Sequence, residues 1–590
     1  MKKYLYIILS SLLAVSCVDT NLLPDDKTVD EEFWKTKSDV ALMVNGADAQ
    51  MLNHTLLTNL IVWGDFRSDE LVQSSGISSG SVYEALRQIG TANIETTNTY
   101  TNWQPLYAVI NYCNIVIMKA ADVMNNDPSY TQGDYLNDIA QMKTLRALCY
   151  FYLVRNFRDV PYITSGYMQN SQEMNVPQTA PETILNGCIA DLKESANNIV
   201  DPTAYNNWKA KGWLNRDAVY SILADIYLWK ASVHHNDASY DAAADYQQCI
   251  DYCNLVIDSK NGAHRYGPME IIDETNLYPA LAKYNRDYTD LFIDQNGEES
   301  IFELQFDGVN NSNSAVCTML YKYQNNNSNY GYLKAAKMFG KSGTDNKVFP
   351  QQYDGRKIKF IFDANNQKGD LEQYDVRKMI VSTTASSYGA PSGAAQSRQA
   401  DRANTRFAQN YIIYRMTDIM LMKAEAMGQL ATGDDDIMLR QAYNIVKAVN
   451  DRAHPEGLYS DTLRFATGKS IQGTAINTKL GFEELVLEER LRELCFEGKR
   501  WYDLLRYNYR HTEGVNYNTL LADQGGNYAV NYRPMLTLMA RKLESPDGLI
   551  TKMPTEPYLY MPINEAETEV NPELKQNPVY SSSDKWEKNY

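Results

Sequence analysis

The segment from Met142 to Val154 limits this chain more than any other, because it is apolar on two sides at once. At helical spacing Met142, Leu145, Cys149, Tyr152 and Leu153 share one face, while Ala147, Leu148, Phe151 and Val154 form a second. A helix of this kind has to be covered on both flanks, so it predicts stacked layers of helices rather than one amphipathic helix on a surface. Val219, Ile222, Leu223 and Ile226 repeat the spacing behind Asn215, a residue type suited to capping, and Ile413, Met416, Met420, Ala424 and Met427 repeat it far downstream. The pattern predicts a mainly α chain built of helix pairs of the tetratricopeptide kind, although no clean repeat of about 34 residues can be counted.

Helical patterning occupies residues 29–260 and 406–510. Between them, 261–405 turns to Asn, Gly, Ser and Tyr: Asn310 to Tyr332 holds seven asparagines and four tyrosines, and Ser382 to Arg398 is a run of small loop residues. A strand is expected at Ser300 to Phe306, with Phe302, Leu304 and Phe306 on one side. Residues 511–590 read as an irregular, proline-punctuated tail. Long loops carried on a helical scaffold are where binding usually resides.

At the N-terminus, Lys2 and Lys3 precede an apolar stretch from Tyr4 to Val15 that ends in Ser16 and Cys17, the order of an export signal and too short to span a membrane. The Cys at its end is similar to the lipobox of bacterial lipoproteins; Val15 and Ser16 fit, while Ala14 stands where leucine is usual. Residues 1–16 are then a signal peptide, Cys17 the acylated first mature residue, and 17–28 a polar tether. No other stretch reaches about 18 consecutive apolar residues, so lipid is the expected membrane attachment.

Seven further cysteines, Cys113, Cys149, Cys188, Cys249, Cys253, Cys317 and Cys495, are an odd number scattered over helical patterns and form no disulfide framework. Cys249 and Cys253 lie one helical turn apart but lack companions for a metal, so they read as buried small hydrophobes, and no metal or cofactor is expected. The net charge of −17, from 56 basic and 73 acidic residues, repels phosphate backbones and makes nucleic acid an unsuitable partner. The chain carries 43 tyrosines against 15 phenylalanines, an excess of rings that can stack on a ligand and hydrogen-bond it through the hydroxyl, or else edge the core between helices.

Catalytic patterns are present only in outline. Gly76, Ser78 and Gly80 spell G-x-S-x-G, but Asp69 to Ser75 is no convincing buried strand and the six histidines offer no positioned base. Gly340-Lys341-Ser342 and Gly468-Lys469-Ser470 resemble the end of a phosphate-binding loop, yet Ala335 and Leu463 occupy its first-glycine positions. Asp434, Asp435 and Asp436 lack calcium-loop spacing and read as acids at a helix start. From Glu483 to Arg506, Glu488 with Arg492 and Glu497 with Arg500 stand at helical pair spacing. Arginines so interleaved would keep the acids ionised in solvated or interhelical pairs, unlike the raised carboxyl a glycosidase needs.

Several separated segments resemble the SusD/RagB family of outer-membrane nutrient-binding lipoproteins: Trp63 to Leu71 (WGDFRSDEL), Trp103 to Asn114 (WQPLYAVINYCN), Leu145 to Pro161 (LRALCYFYLVRNFRDVP) and Ala224 to Leu228 (ADIYL). They continue with Tyr414 to Ala426 (YRMTDIMLMKAEA), Asn450 to Ala453 (NDRA), Glu489 to Arg506 (ERLRELCFEGKRWYDLLR) and Asn571 to Tyr580 (NPELKQNPVY). The resemblance implies about four tetratricopeptide-like helix pairs, a variable loop-rich portion with a few short strands, and no catalysis. It also implies a place on the cell surface as the lid of a SusC-like TonB-dependent transporter, binding oligosaccharides or peptides through aromatic loops. With no tryptophan between Trp229 and Trp501, tyrosine must supply the platform. The expected ligand contacts are Tyr83 and Tyr100, after the first family segment, and Tyr278, Tyr284, Tyr321 and Tyr330 in the variable portion. The reading from another class is a periplasmic helical-repeat scaffold that binds only proteins.

Overall fold

The computed structural model describes residues 33–75, 78–168, 175–261, 288, 290–321, 331–340, 348–349, 354–361, 373–374, 376–379, 407–454, 463–470, 473–512, 535, 538–539, 542 and 556–581. Its helices start where side chains can satisfy the free backbone N–H groups of a first turn. Thr36 and Asp39 form a capping box for α1 (Lys37–Met51), and Asn53 accepts from Thr55 N and Leu56 N to open α2 (His54–Ile61). A π turn, Val62–Phe66, follows, then β1 (Leu71–Gln73) and α3 (Ser81–Gly90). Next come α4 (Gln104–Asn126), α5 (Gln132–Phe157, boxed by Thr131 and Asp134), the short pair β2 (Val160–Pro161) and β3 (Gln178–Thr179), and α6 (Pro181–Asn198). The single turn α7 (Lys209–Gly212) precedes α8 (Arg216–Val233), which Asn215 caps through Ala218 N as expected, and α9 (Ala242–Asn261).

The helix pattern holds through packing. Helix α5 lies between α4 and α6 and is buried almost without interruption from Ile139 to Phe157, so both of its apolar faces are covered. The same neighbour-on-neighbour contact runs from α1 through α4, α5, α6 and α8 to α9. By length and composition α4 could cross a membrane, but its Leu106, Val109, Ile110, Cys113, Val116 and Val123 are buried in this stack.

The later portion adds β4 (Ser300–Leu304), α10 (Ser314–Leu320), β5 (Leu333–Ala336), α11 (Gly355–Phe360), β6 (Gln373–Tyr374) and β7 (Tyr411–Arg415). Then follow α12 (Met416–Leu430), α13 (Ile437–Arg452), α14 (Lys479–Leu494), α15 (Arg500–Arg510) and, in the tail, α16 (Glu565–Val570). Helix α12 packs on α9 and carries the stack on to α13 and α14. Two expectations need correction here. Ile413 belongs to β7, not to the helix that begins at Met416, because 411–415 pairs antiparallel with β4. The expected strand is present as β4, but it ends at Leu304, two residues short of the expected Phe306, and all of it is buried.

The tail closes on the N-terminal half through one main-chain bond and one side-chain bond to a main-chain carbonyl. Met561 N donates to the Asn156 carbonyl at 2.7 Å, and Arg67 Nη2 donates to the Leu559 carbonyl at 2.8 Å. All seven described cysteines are buried and free, Cys249 and Cys253 among them.

Helix α14 organises a buried ionic cluster. Arg415 forks onto Glu497 with both bonds at 2.8 Å and reaches Glu299 at 2.6 Å and Glu493 at 2.9 Å. Glu493 also takes Arg452 and Arg356, while Arg356 continues to Asp354 and Glu489, Arg492 to Glu489, and Lys378 to Glu497. Five carboxylates thus meet five cations. Burial alone would push Glu493 up, but Arg452, Arg415 and Arg356 outweigh it and hold the carboxyl well below its ordinary range. A second cluster joins Asp418, Arg490, Lys499, Asp503, Arg506, Glu425, Arg510 and Glu483 across α12, α14 and α15. There burial is overcome by Arg506 and Arg510 at Glu425, and by Arg510 and His511 at Glu483, so both are held at about 2. The charged stretch 483–506 is therefore interhelical and buried rather than solvated. The sequence pairing of Glu497 with Arg500 is replaced, because Arg500 forks onto Asp69 at 2.7 and 2.9 Å.

That fork joins the two most distinctive sequence segments. Gly64 meets Gly498 backbone to backbone, where a Cβ on Gly64 would overlap the Gly498 carbonyl, and Gly498 has φ of +73°. Beside this contact Asp65 accepts from Gly498 N at 2.7 Å and Glu70 from Phe496 N at 3.2 Å. Burial, reinforced at Glu70 by the Asp65 charge, pushes both carboxyls above the ordinary carboxylate range.

Removing one partner of a buried ionic cluster strands the others. Glu493→Ala is expected to cost at least about 3 kcal/mol in chemical denaturation, whereas Glu84→Ala, at the exposed pair with Arg87, leaves the midpoint unchanged. Equal midpoints for the two variants would refute the structural role of the cluster. The Asp65 and Glu70 pair binds its proton more tightly folded than unfolded, so its contribution is complete below about pH 4 and fades as pH rises into the neutral range. The thermal midpoint of Asp65→Asn, which keeps an oxygen for Gly498 N and gains a donor toward Glu70, should therefore fall less than wild type between about pH 5 and 8. Parallel pH profiles would rule this out. Glu425 and Glu483 have the opposite sign, stabilising above about pH 4 and losing that as pH falls toward 2.

Candidate functional site

Strand β1 leaves the Asp65 to Asp69 anchor and pairs antiparallel with β5, with Leu71 opposite Ala335, Val72 opposite Lys334 and Gln73 opposite Leu333. β5 is the central strand, since β6 pairs along its other edge. At one end of this small sheet the ladder continues from Ser74 N to the Tyr332 carbonyl at 2.8 Å, which brings Ser74 beside the chain entering β5. Gly331 fits because a Cβ there would lie 2.8 Å from the Leu320 and Tyr321 backbone. Tyr83, in the first turn of α3, joins the same end: its carbonyl accepts from Gln73 Nε2 at 2.9 Å. Tyr83 and Tyr332 are both half-buried, each with part of its surface open to solvent.

The expected tyrosines divide. Tyr83 stands at this sheet end, but Tyr100 and Tyr321 do not bind from the surface. Tyr100 is 6% exposed, in a 3-10 turn pinned by Asn98, and its carbonyl accepts from Trp63 Nε1 at 2.8 Å. Tyr321 is 2% exposed, stacked on Phe407 with centroids 5.6 Å apart, and its hydroxyl accepts from Met379 N at 3.2 Å. Both belong to the core under the site. Tyr278, Tyr284 and Tyr330 lie outside the described residues, as do Cys17 and the tether. The sequence reading passed over Tyr332, which only strand pairing places beside Tyr83. It also passed over Tyr205, Trp208 and Trp213, although three rings within nine residues were a visible signal.

Tyr83 and Tyr332 meet Gln73 and Ser74 through their main-chain carbonyls, and a half-buried tyrosine can offer a ring to an apolar ligand face and its hydroxyl to the ligand's hydroxyls. The described histidines pair elsewhere, His54 with Ser314, His234 with Glu182, His235 with Tyr246, His454 with the Asn450 carbonyl and His511 with Glu483. Within residues 69–75 only the short strand β1 forms, paired with β5 and buried at Leu71 alone. Ser78 sits exposed on a long loop and not at a tight strand-to-helix turn. Asp436 caps α13 through Met438 N and Asp434 accepts from Lys479 N, so these acids serve helix starts. Among the described residues no group of three His, Cys, Asp or Glu side chains gathers as a metal site.

Comparison with known proteins agrees with this architecture. Residues 318–580 match the model described as the SusD family, and residues 23–228 match one described as starch-binding associating with outer membrane. The chain is 24% identical over 532 residues to SusD-like protein P38 of Formosa agariphila, covering 86% of this chain and 92% of that one. A SusD homolog from Bacteroides thetaiotaomicron superposes with a TM-score of 0.66 at 18% identity, over 93% of this chain and 99% of that one. A laminarin binding SusD-like protein superposes with a TM-score of 0.62, also at 18% identity, over 92% and 100%. With matches at both ends, the same mainly helical fold throughout, and the two signature segments clasped at Gly64 and Gly498, the chain belongs to the SusD family.

Proposed function

We propose that this protein captures oligosaccharides at the surface of a Gram-negative cell, held in the outer membrane by acyl chains on Cys17, and serves as the lid of a SusC-like TonB-dependent transporter. The observation that carries the reading is the match of residues 23–228 to a family described as starch-binding and associating with the outer membrane. A fold neighbour that binds laminarin and the half-open pair Tyr83 and Tyr332 support it. The chain acts as a binding protein and not as a hydrolase, since the carboxyl groups of 483–506 that are held low are ionised and walled in by arginine. The stacked helices, read as tetratricopeptide-like pairs, form the rigid body that presents the sheet end to its ligand.

Isothermal titration against laminarin, maltodextrin and other oligosaccharides tests the site. Tyr83→Ala and Tyr332→Ala are each expected to weaken binding about fivefold, the loss of one stacked ring worth about 1 kcal/mol. Tyr321→Ala should instead lower stability by about 3 kcal/mol with the ligand contacts intact. Undiminished affinity in the double variant Tyr83→Ala/Tyr332→Ala would remove the sheet end as the site, and capture of peptides alone would change the cargo. Metabolic labelling with a palmitate analogue should mark the wild-type protein and not Cys17→Ala. Surface proteolysis of intact cells should reach it, and a barrel protein should co-purify with it; a protected, unacylated chain would end the lid reading.

A further inference from the structure

A second aromatic surface lies on a different sheet from Tyr83 and Tyr332. Residues 205–213 carry three rings around the single turn α7, which packs on β4. Trp213 takes Tyr205 edge-on at 5.5 Å and 81° and Trp208 at 6.4 Å and 89°, so the two indoles stand as floor and wall. Trp208 is 48% exposed, whereas Trp63, Trp103, Trp229 and Trp501 are buried. Its ring is fixed from below: a Cβ on Gly212 would come within 2.8 Å of Trp208 Cε3 and 2.5 Å of Gln305 Cγ, so the glycine lets indole and amide close over the backbone. Lys209 Nζ stands 4.2 Å from the Trp213 ring centroid and helps hold that wall.

The polar side is equally fixed. Gln305 donates to Asn296 Oδ1 at 2.8 Å and accepts from Asn410 Nδ2 at 3.0 Å. Asn296 and Gln295 both take left-handed backbone conformations, φ +54° and +62°, an uncommon pairing held by bonds from Gln295 to the Ala408 carbonyl and from Asn410 N to Gln295. A protein-docking patch would extend Trp208 with further exposed aliphatic side chains. Here the chain neighbours are Asn206, Asn207 and Lys209, with Gln305 at the ring's edge. One open ring with amides beside it suits a pyranose, whose C–H face is bordered by hydroxyls.

We propose that Trp208, flanked by Trp213 and Tyr205 and by the amides of Gln305 and Asn296, is a second carbohydrate-binding surface that stacks one hexopyranose unit of an oligosaccharide. It rests on the reading of the chain as a glycan-binding protein but not on the site at Tyr83 and Tyr332. The full mature chain, Trp208→Ala, Trp208→Phe and Tyr83→Ala/Tyr332→Ala are applied to an array of immobilised laminarin, amylopectin and polygalacturonate chains, with melting curves confirming that each is folded. Trp208→Ala is expected to weaken binding of the retained polymer about five- to tenfold and Trp208→Phe to restore most of it, as for one stacked ring. Polymer binding equal in wild type and Trp208→Ala overturns this surface and leaves the function standing. Loss of a co-purifying protein in Trp208→Ala with unchanged glycan binding overturns it in favour of a protein interface. Wild type that retains none of the polymers overturns both readings.

Discussion

The structure depends on a charge-balanced cluster of arginines and carboxylates buried around α14. Each ion there would be costly alone, because removing a charge from water costs several kcal/mol that only close, well-oriented partners return. Glu493 is the hub: its two oxygens serve Arg415, Arg452, Arg356 and the Tyr288 hydroxyl, and its backbone carbonyl accepts from Lys378 and Arg415. Those partners come from β7, α13, α11 and segments far apart in the chain, so the cluster assigns relative positions to elements that apolar packing alone would leave free to slide. The fork of Arg415 is suited to this, because a planar guanidinium bonding three carboxylates tolerates little rotation.

From that hub the geometry passes to the end of the sheet formed by β1, β5 and β6. Immediately after α14, Phe496 N and Gly498 N bind the Glu70 and Asp65 carboxyl groups, Arg500 binds Asp69, and the glycine contact leaves no room for a shift. Strand β1 begins two residues beyond Asp69 and carries Gln73 and then Ser74, which meets Tyr332. Tyr83 and Tyr332 are thus joined, through Gln73 and Ser74, to a chain of contacts that starts in the ionic core. Trp208 is placed by an independent route, through Gly212 and the amide wall beside β4.

How much could be read beforehand differs from residue to residue. The two-faced helix at 142–154 was legible because a 3.6-residue period records burial directly, and the cap at Asn215 because a short polar side chain there has one local use. The Ile413 to Met427 spacing misled at its first member: a helical period can run on into a strand, and only the partner strand β4 decides where the helix starts. The acids Glu483, Glu489 and Glu493 were read rightly as ionised, yet the pairing within 483–506 was not read fully, since local i,i+3 spacing pairs Glu497 with Arg500 while the fold offers Arg500 a better-oriented carboxylate at Asp69. Tyr100 and Tyr321 were chosen from loop composition, which does not distinguish a turn on the surface from a turn under it.

By itself, then, the sequence determined the class of scaffold, the presence of covered helices, and the family to which its signature segments belong, because these follow from local period, capping chemistry and motif order. Only the tertiary structure decided which rings face solvent and which acids meet which bases. Those outcomes depend on contacts between residues hundreds of positions apart, as at Gly64 with Gly498 and Asp69 with Arg500, where distance in the chain carries no information about distance in space.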